Sequence, residues 1–135
     1  MRELKFRAWD LDKNKYHYDI CIKPNGKIIA LEIYDGEMSP IRTRCIAEQY
    51  TGLKDKNDKE IYEGDIVRIY NMDNRGKIEG AYIPLFDEMN GEYVWCKNED
   101  IDSAEYGGFP IWAKYRVIGN IHENKELFEM KKEEE

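Results

Sequence analysis

The stretch "YTGLKDKNDKEIYEGDIVRIY", residues Tyr50–Tyr70, decides how this chain is read. Its middle, "KDKND", is too polar and turn-rich for the interior of any regular element. The residues after it are β-branched and aromatic, and they are interrupted once, at Gly64-Asp65. Glycine supplies the positive φ that a tight turn needs, and an aspartate beside it bonds the turn backbone. The spacing therefore predicts a short strand "EIY", a turn at Gly64-Asp65, and a strand from Ile66 to Tyr70. The competing reading is a catalytic loop in which Glu63 and Asp65 flank Gly64 as paired carboxylates. With 28 acidic residues in the chain, chance carboxylate pairs are guaranteed, so the turn into a small barrel is the preferred reading.

Working outward, apolar residues alternate with period two rather than 3.6. In "RELKFRAW", Leu4, Phe6 and Ala8 share one face and Glu3, Lys5 and Arg7 the other, which predicts a half-buried strand. "KYHYDICI" aligns Tyr16, Tyr18, Ile20 and Ile22. Asn25-Gly26 is a strong hairpin signal, returning through "KIIALEIY" and ending at "DGEMSP". "IRTRCIAEQY" reads as a strand, although "RCIAEQY" has the composition for a helical turn. Pro84 restricts "AYIPLF" to a sheet edge, because proline lacks an amide donor. "NMDNRGKIEG" and the acidic "NEDIDSAEYGG" read as loops, and "FPIWAKYRVIGNI" as a long strand. Only the tail, "HENKELFEMKKEEE", has helical composition. The expected architecture is mainly β: an N-terminal β-rich lobe over residues 1–48, a second lobe over 49–127, and a charged tail over 128–135.

A chain of 135 residues, 13% aromatic, has enough bulky side chains to build a core. Its net charge of −7 works against general attraction to nucleic acid phosphates or anionic lipid. A local basic patch formed by Lys5, Arg7, Arg42 and Arg44 is still compatible with that balance. No apolar run is long enough to cross a bilayer as a helix, and "MRELKFRAWD" carries charges where a signal peptide needs an apolar segment. A cytoplasmic protein is expected, with Cys21, Cys45 and Cys96 as reduced thiols.

Searching for chemistry gives little. His17 and His122 are far apart and are expected on the surface, so no metal site and no cofactor are expected. Cys45, flanked by Arg44, invites the idea of an activated thiol, but a buried structural thiol is the simpler reading. Tyr70 with Arg68, and Tyr115 with Arg116, loosely resemble a stacking platform for single-stranded nucleic acid.

The blocks "RELKFRAWD", "QYTGLKDKNDKEIYEGDIV" and "VIGNIHEN" together resemble the YopX-like family of phage and prophage proteins, over about Arg2 to Leu127. The segment from Asn71 to Pro110 carries no matching motif. The resemblance implies a small, mostly β protein of temperate phages or integrated elements, with a C-terminal SH3-type barrel starting near "YEGDIV". It implies no catalytic residues. The family-motif positions here are Tyr50, Thr51, Gly52, Leu53, Asp55, Ile61, Tyr62, Gly64 and Asp65, a mixture of turn formers and core residues. The turn at Tyr50-Thr51-Gly52 is also a candidate docking surface. The expected function is a non-enzymatic phage accessory module that binds a phage or host protein or assembles with itself. The alternative is a nucleic-acid-binding or DNA-mimic protein.

Overall fold

The alternation seen in the sequence becomes a series of short antiparallel strands in the computed structural model, which describes residues 4–41, 43–71, 80–107 and 113–127. The chain divides into two compact units, Met1–Tyr50 and Thr51–Glu135.

In the first unit, β1 (Phe6–Asp10) is central. It pairs with β2 (Lys15–His17) on one side, matching Trp9 to Tyr16, and with the start of β6 (Cys45–Lys54) on the other, matching Arg7 to Glu48. Both faces of β1 are covered, so Arg7, Ala8, Trp9 and Asp10 are all buried. The expected half-buried strand with an outward Arg7 is thereby corrected. The predicted strand "KYHYDICI" is also two strands, because the chain leaves β2 after His17 and starts β3 (Ile20–Ile22) in another sheet.

That sheet has the order β3-β4-β5, with β4 at Ile28–Tyr34 and β5 at Glu37–Pro40. Asn25-Gly26 closes the first hairpin as expected: Gly26 has φ +85° and its amide donates to Lys23 carbonyl at 2.8 Å. "DGEMSP" does not end the ladder. Asp35 and Gly36 both take positive φ, 53° and 77°, the twist a two-residue hairpin requires, and the chain returns as β5.

In the second unit, the end of β6 turns back through residues 55–59 into β7 (Glu60–Tyr62). A five-stranded antiparallel sheet follows, in the order β11-β10-β9-β8-β12. Its strands are β8 (Asp65–Asn71), β9 (Gly80–Asp87), β10 (Glu92–Cys96), β11 (Ala104–Gly107) and β12 (Ala113–Asn120). Closure into an SH3-type barrel is not among the described pairings.

Both faces of this sheet carry apolar clusters. On one, Val67, Ile69, Tyr82, Trp95 and Tyr115 pack with Ile61 of β7, and Trp95 stacks on Tyr115 with centroids 5.3 Å apart. On the other, Ile66, Ala81, Ile83, Val94 and Cys96 pack beneath Ile118, Ile121 and Leu127. Burial pushes the Tyr115 hydroxyl up to about 12 and the Cys96 thiol up to about 11, as expected for core groups.

Three expectations change here. β9 is an internal strand despite Pro84, because its pairing with β8 covers only Gly80 to Tyr82 and has stopped before the proline. Pro84 is therefore free of the demand for a donor toward β8. "NEDIDSAEYGG" contains a 3-10 turn at Ile101–Ser103, capped by Asp100, and then β11. His122 sits in a turn after β12, where a helix start was expected; Glu126 and Leu127 are helical, and the expected helix beyond Leu127, like residues 72–79 and 108–112, lies outside the described residues.

Ile61 is fully buried at the centre of the first cluster. Ile61→Ala should destabilise the protein by about 3 kcal/mol, read as a lower urea midpoint with an unchanged m-value.

Candidate functional site

Apart from Tyr50, the last residue of the first unit, the family-motif residues lie in the second unit, along β6, β7, the start of β8 and the turns between them. Thr51 hydroxyl donates to Ile61 carbonyl at 2.7 Å and fixes β7 against β6. Gly52 takes φ +90° within β6, and the strand continues through it. Tyr50 and Thr51 are 4% and 3% exposed, so the expected exposed docking turn at Tyr50-Thr51-Gly52 is instead buried strand, with only Gly52 reaching the surface.

Asp55 begins the turn that follows β6. One carboxylate oxygen accepts from the amides of Asn57 at 2.8 Å and Lys59 at 2.9 Å, and the other from the amide of Val117 at 3.0 Å. Val117 sits where the β8–β12 register slips by one residue, leaving its amide on the outer edge of β12. Burial alone would raise the Asp55 pKa. The three backbone donors outweigh it, and the group is held below the ordinary carboxylate range. Asp65 acts similarly at the second turn. It accepts from Tyr62 amide at 2.8 Å, while Gly64, at φ +88°, receives Ile121 amide on its carbonyl. Glu63 accepts from Tyr93 hydroxyl at 3.1 Å. Each of these carboxylates is engaged in holding the fold, which argues against a general acid and base pair.

A second polar centre lies in the first unit, and the sequence reading missed it. Asp10 is fully buried. One of its oxygens accepts from the amides of Asp12 and Lys13, each at 3.0 Å, and the other from His17 Nε2 at 3.0 Å and Thr43 hydroxyl at 2.8 Å. His17 is 8% exposed, which corrects its expected place on a polar face. On the opposite face of the same sheet, Arg7 donates through Nε to Glu48 at 2.9 Å, lies 3.9 Å from the Tyr16 ring, and shares Glu48 with Tyr16 hydroxyl. Arg7 is thereby removed from the expected basic patch. Arg44 is exposed beside Asp12, Lys5 lies over the Tyr50 ring, and Arg42 is outside the described residues.

An imidazole held by a buried carboxylate is half of a catalytic arrangement, and the other half is an activated nucleophile. The Thr43 hydroxyl donates its hydrogen bond to Asp10 and keeps its proton. Cys45, opposite Asp10 in the register, has its thiol pKa pushed up by burial and then by the nearby Asp10 charge, the reverse of activation. Only the cross-strand register of β1, β2 and β6 brings Asp10, His17 and Cys45 together, and no local spacing announces it.

A family model described as YopX protein matches residues 5–129. Protein EF1440 from Enterococcus faecalis has a similar solved structure, 25% identical, with TM-score 0.57, covering 95% of this chain and 99% of that one. Protein yopX from Bacillus subtilis is also similar in fold, 22% identical, with TM-score 0.63, covering 94% and 98% respectively. No curated protein matches.

Two outcomes follow for the carboxylates. Asp55→Ala should cost about 2 kcal/mol in urea unfolding, since three part-buried backbone donors lose their acceptor. Asp10 is held well below the ordinary carboxylate range: burial opposes this, and the His17, Thr43 and backbone bonds prevail. Because Asp10 and Asp55 both have depressed folded values, their stabilisation is complete above the unfolded value of about 3.9 and lost as pH falls below it. Circular dichroism at graded pH should show acid unfolding, and Asp10→Asn should flatten that dependence while lowering stability at neutral pH.

Proposed function

The chain belongs to the YopX family, and we propose that it is a non-enzymatic binding module, serving a phage or prophage in the bacterial cytoplasm, that docks a protein partner on its first unit. The observation that carries the reading is one face of the β3-β4-β5 sheet. The register matches Cys21 to Ile29, Leu31 to Pro40 and Ile33 to Met38, so these six side chains share one face. None is charged, none is fully buried, and Ile33 and Met38 are 72% and 52% exposed. An uncharged, exposed sheet face on a chain that is 36% charged is the type of surface that protein partners cover. Tyr34, at the hairpin tip, is 73% exposed on the opposite face. A second copy of the chain is one such partner, since an apolar face is complementary to itself. The role of the buried carboxylates in holding backbone supports leaving catalysis out of the function.

Light scattering across a concentration series, with mass spectrometry of proteins co-purifying from induced lysogens, tests this. A mass above the monomer, or a specific partner, is expected. Ile33→Glu combined with Met38→Lys should abolish either, weakening association by about 3 kcal/mol, more than a hundredfold, without changing the urea midpoint. A monomer at every concentration with no co-purifying protein would refute the reading.

A further inference from the structure

We propose that the outer face of the β8–β12 ladder, in the second unit, is a binding site for single-stranded nucleic acid. The register pairs Tyr70 with Lys114 and Arg68 with Arg116, which places all four side chains on the same face. It is the face opposite Val67, Ile69 and Tyr115, shared with Ile66 and Ala81 of the second apolar cluster, and on it Arg68, Lys114 and Arg116 remain exposed. The turn at residues 55–59 lies along the outer edge of β12, where Lys56 amide donates to Tyr115 carbonyl at 2.8 Å. It brings Lys56 Nζ to 5.3 Å from the Tyr70 ring centroid, and Arg68 Cζ approaches the same ring at 5.8 Å. Lys56, Arg68, Lys114 and Arg116 are all exposed, and none forms an ion pair with a described carboxylate.

Four cations gathered on one face of a protein with 28 acidic and 21 basic residues run against its overall charge. Like charges this close repel, so the arrangement favours an anionic occupant. Side chains two apart on a strand repeat at about 7 Å, and neighbouring strands are about 5 Å apart. That gives a compact grid suited to successive phosphates of an extended strand. Tyr70, half-buried among the cations, provides the aromatic surface on which a base stacks, and the planar guanidinium groups of Arg68 and Arg116 add to it. The combination of cations and ring favours a nucleic acid strand over an acidic peptide, which has no bases to stack. The expected basic patch at Lys5, Arg7, Arg42 and Arg44 contributes none of these residues. Tyr115, considered with Arg116 from the sequence, faces inward instead. The site is separate from the apolar face of the first unit, and its test is independent of that reading.

Fluorescence anisotropy with a short fluorescein-labelled oligothymidylate, on the full chain, tests the assignment. Binding is expected at low salt, with the logarithm of affinity falling against log salt at a slope of about −2 to −3 for three to four neutralised phosphates. Lys114→Glu combined with Arg116→Glu should abolish binding, and Tyr70→Leu should weaken it about tenfold while leaving heparin binding unchanged. Urea midpoints of the variants report whether the fold is intact, and Lys114→Gln with Arg116→Gln gives a milder arm in case charge reversal disturbs it. Three results would overturn the proposal: no anisotropy change at low salt, charge variants that fold and bind like the parent, or polyglutamate displacing the oligonucleotide as well as unlabelled oligothymidylate does.

Discussion

The carboxylate of Asp55 is the constraint on which the second unit depends. Its three backbone donors come from its own turn and from Val117, 62 residues away in sequence. The turn gains a fixed conformation, and β12 gains a partner along an edge that would otherwise show unpaired amides. The same clamp holds Lys56 beside the β8–β12 ladder. A neutral side chain would be a weaker acceptor at this position, because charge-assisted bonds to backbone amides are shorter and stronger than neutral ones. Asp65 repeats the device one turn later, fixing the angle at which β8 leaves β7.

The first unit has its own version. Asp10 ties the turn after β1, the imidazole of His17 on β2, and Thr43 ahead of β6. The chain thus uses buried aspartates where larger domains rely on apolar volume alone. Several strands have only three to five residues and offer few side chains for burial, and a carboxylate that satisfies several backbone donors at once stabilises the irregular segments between strands. With these polar groups engaged internally, the features directed outward are an apolar sheet face in one unit and a cationic ladder in the other. These two surfaces are where binding is to be sought in this member of the YopX family.

Much of the fold was legible because its signals are local. Period-two alternation announced β1, β4, β8 and β12, and Asn25-Gly26 and Gly64-Asp65 announced their turns through the positive φ that glycine allows. β5 and β11 were missed because "EMSP" and "AEYG" are short and lack the apolar alternation that marks a strand; pairing with a stronger neighbour makes them strands. Pro84 was assigned to an edge on a sound rule, yet the rule concerns a donor position, and the end of β8 pairing released that position within an internal strand.

The sequence alone determined that the chain is mainly β, where its main turns lie, and that the block from Tyr50 to Tyr70 specifies structure. Those properties follow from backbone φ preferences and from side-chain period, which act within a few residues. The tertiary structure alone decided that Arg7 and His17 are buried and that Asp10 and Asp55 are anchors. It also decided that Lys56, Arg68, Lys114 and Arg116 form one surface. Each of these depends on strand register between distant segments, and shifting a register by a single residue exchanges the two faces of a strand without altering any local pattern.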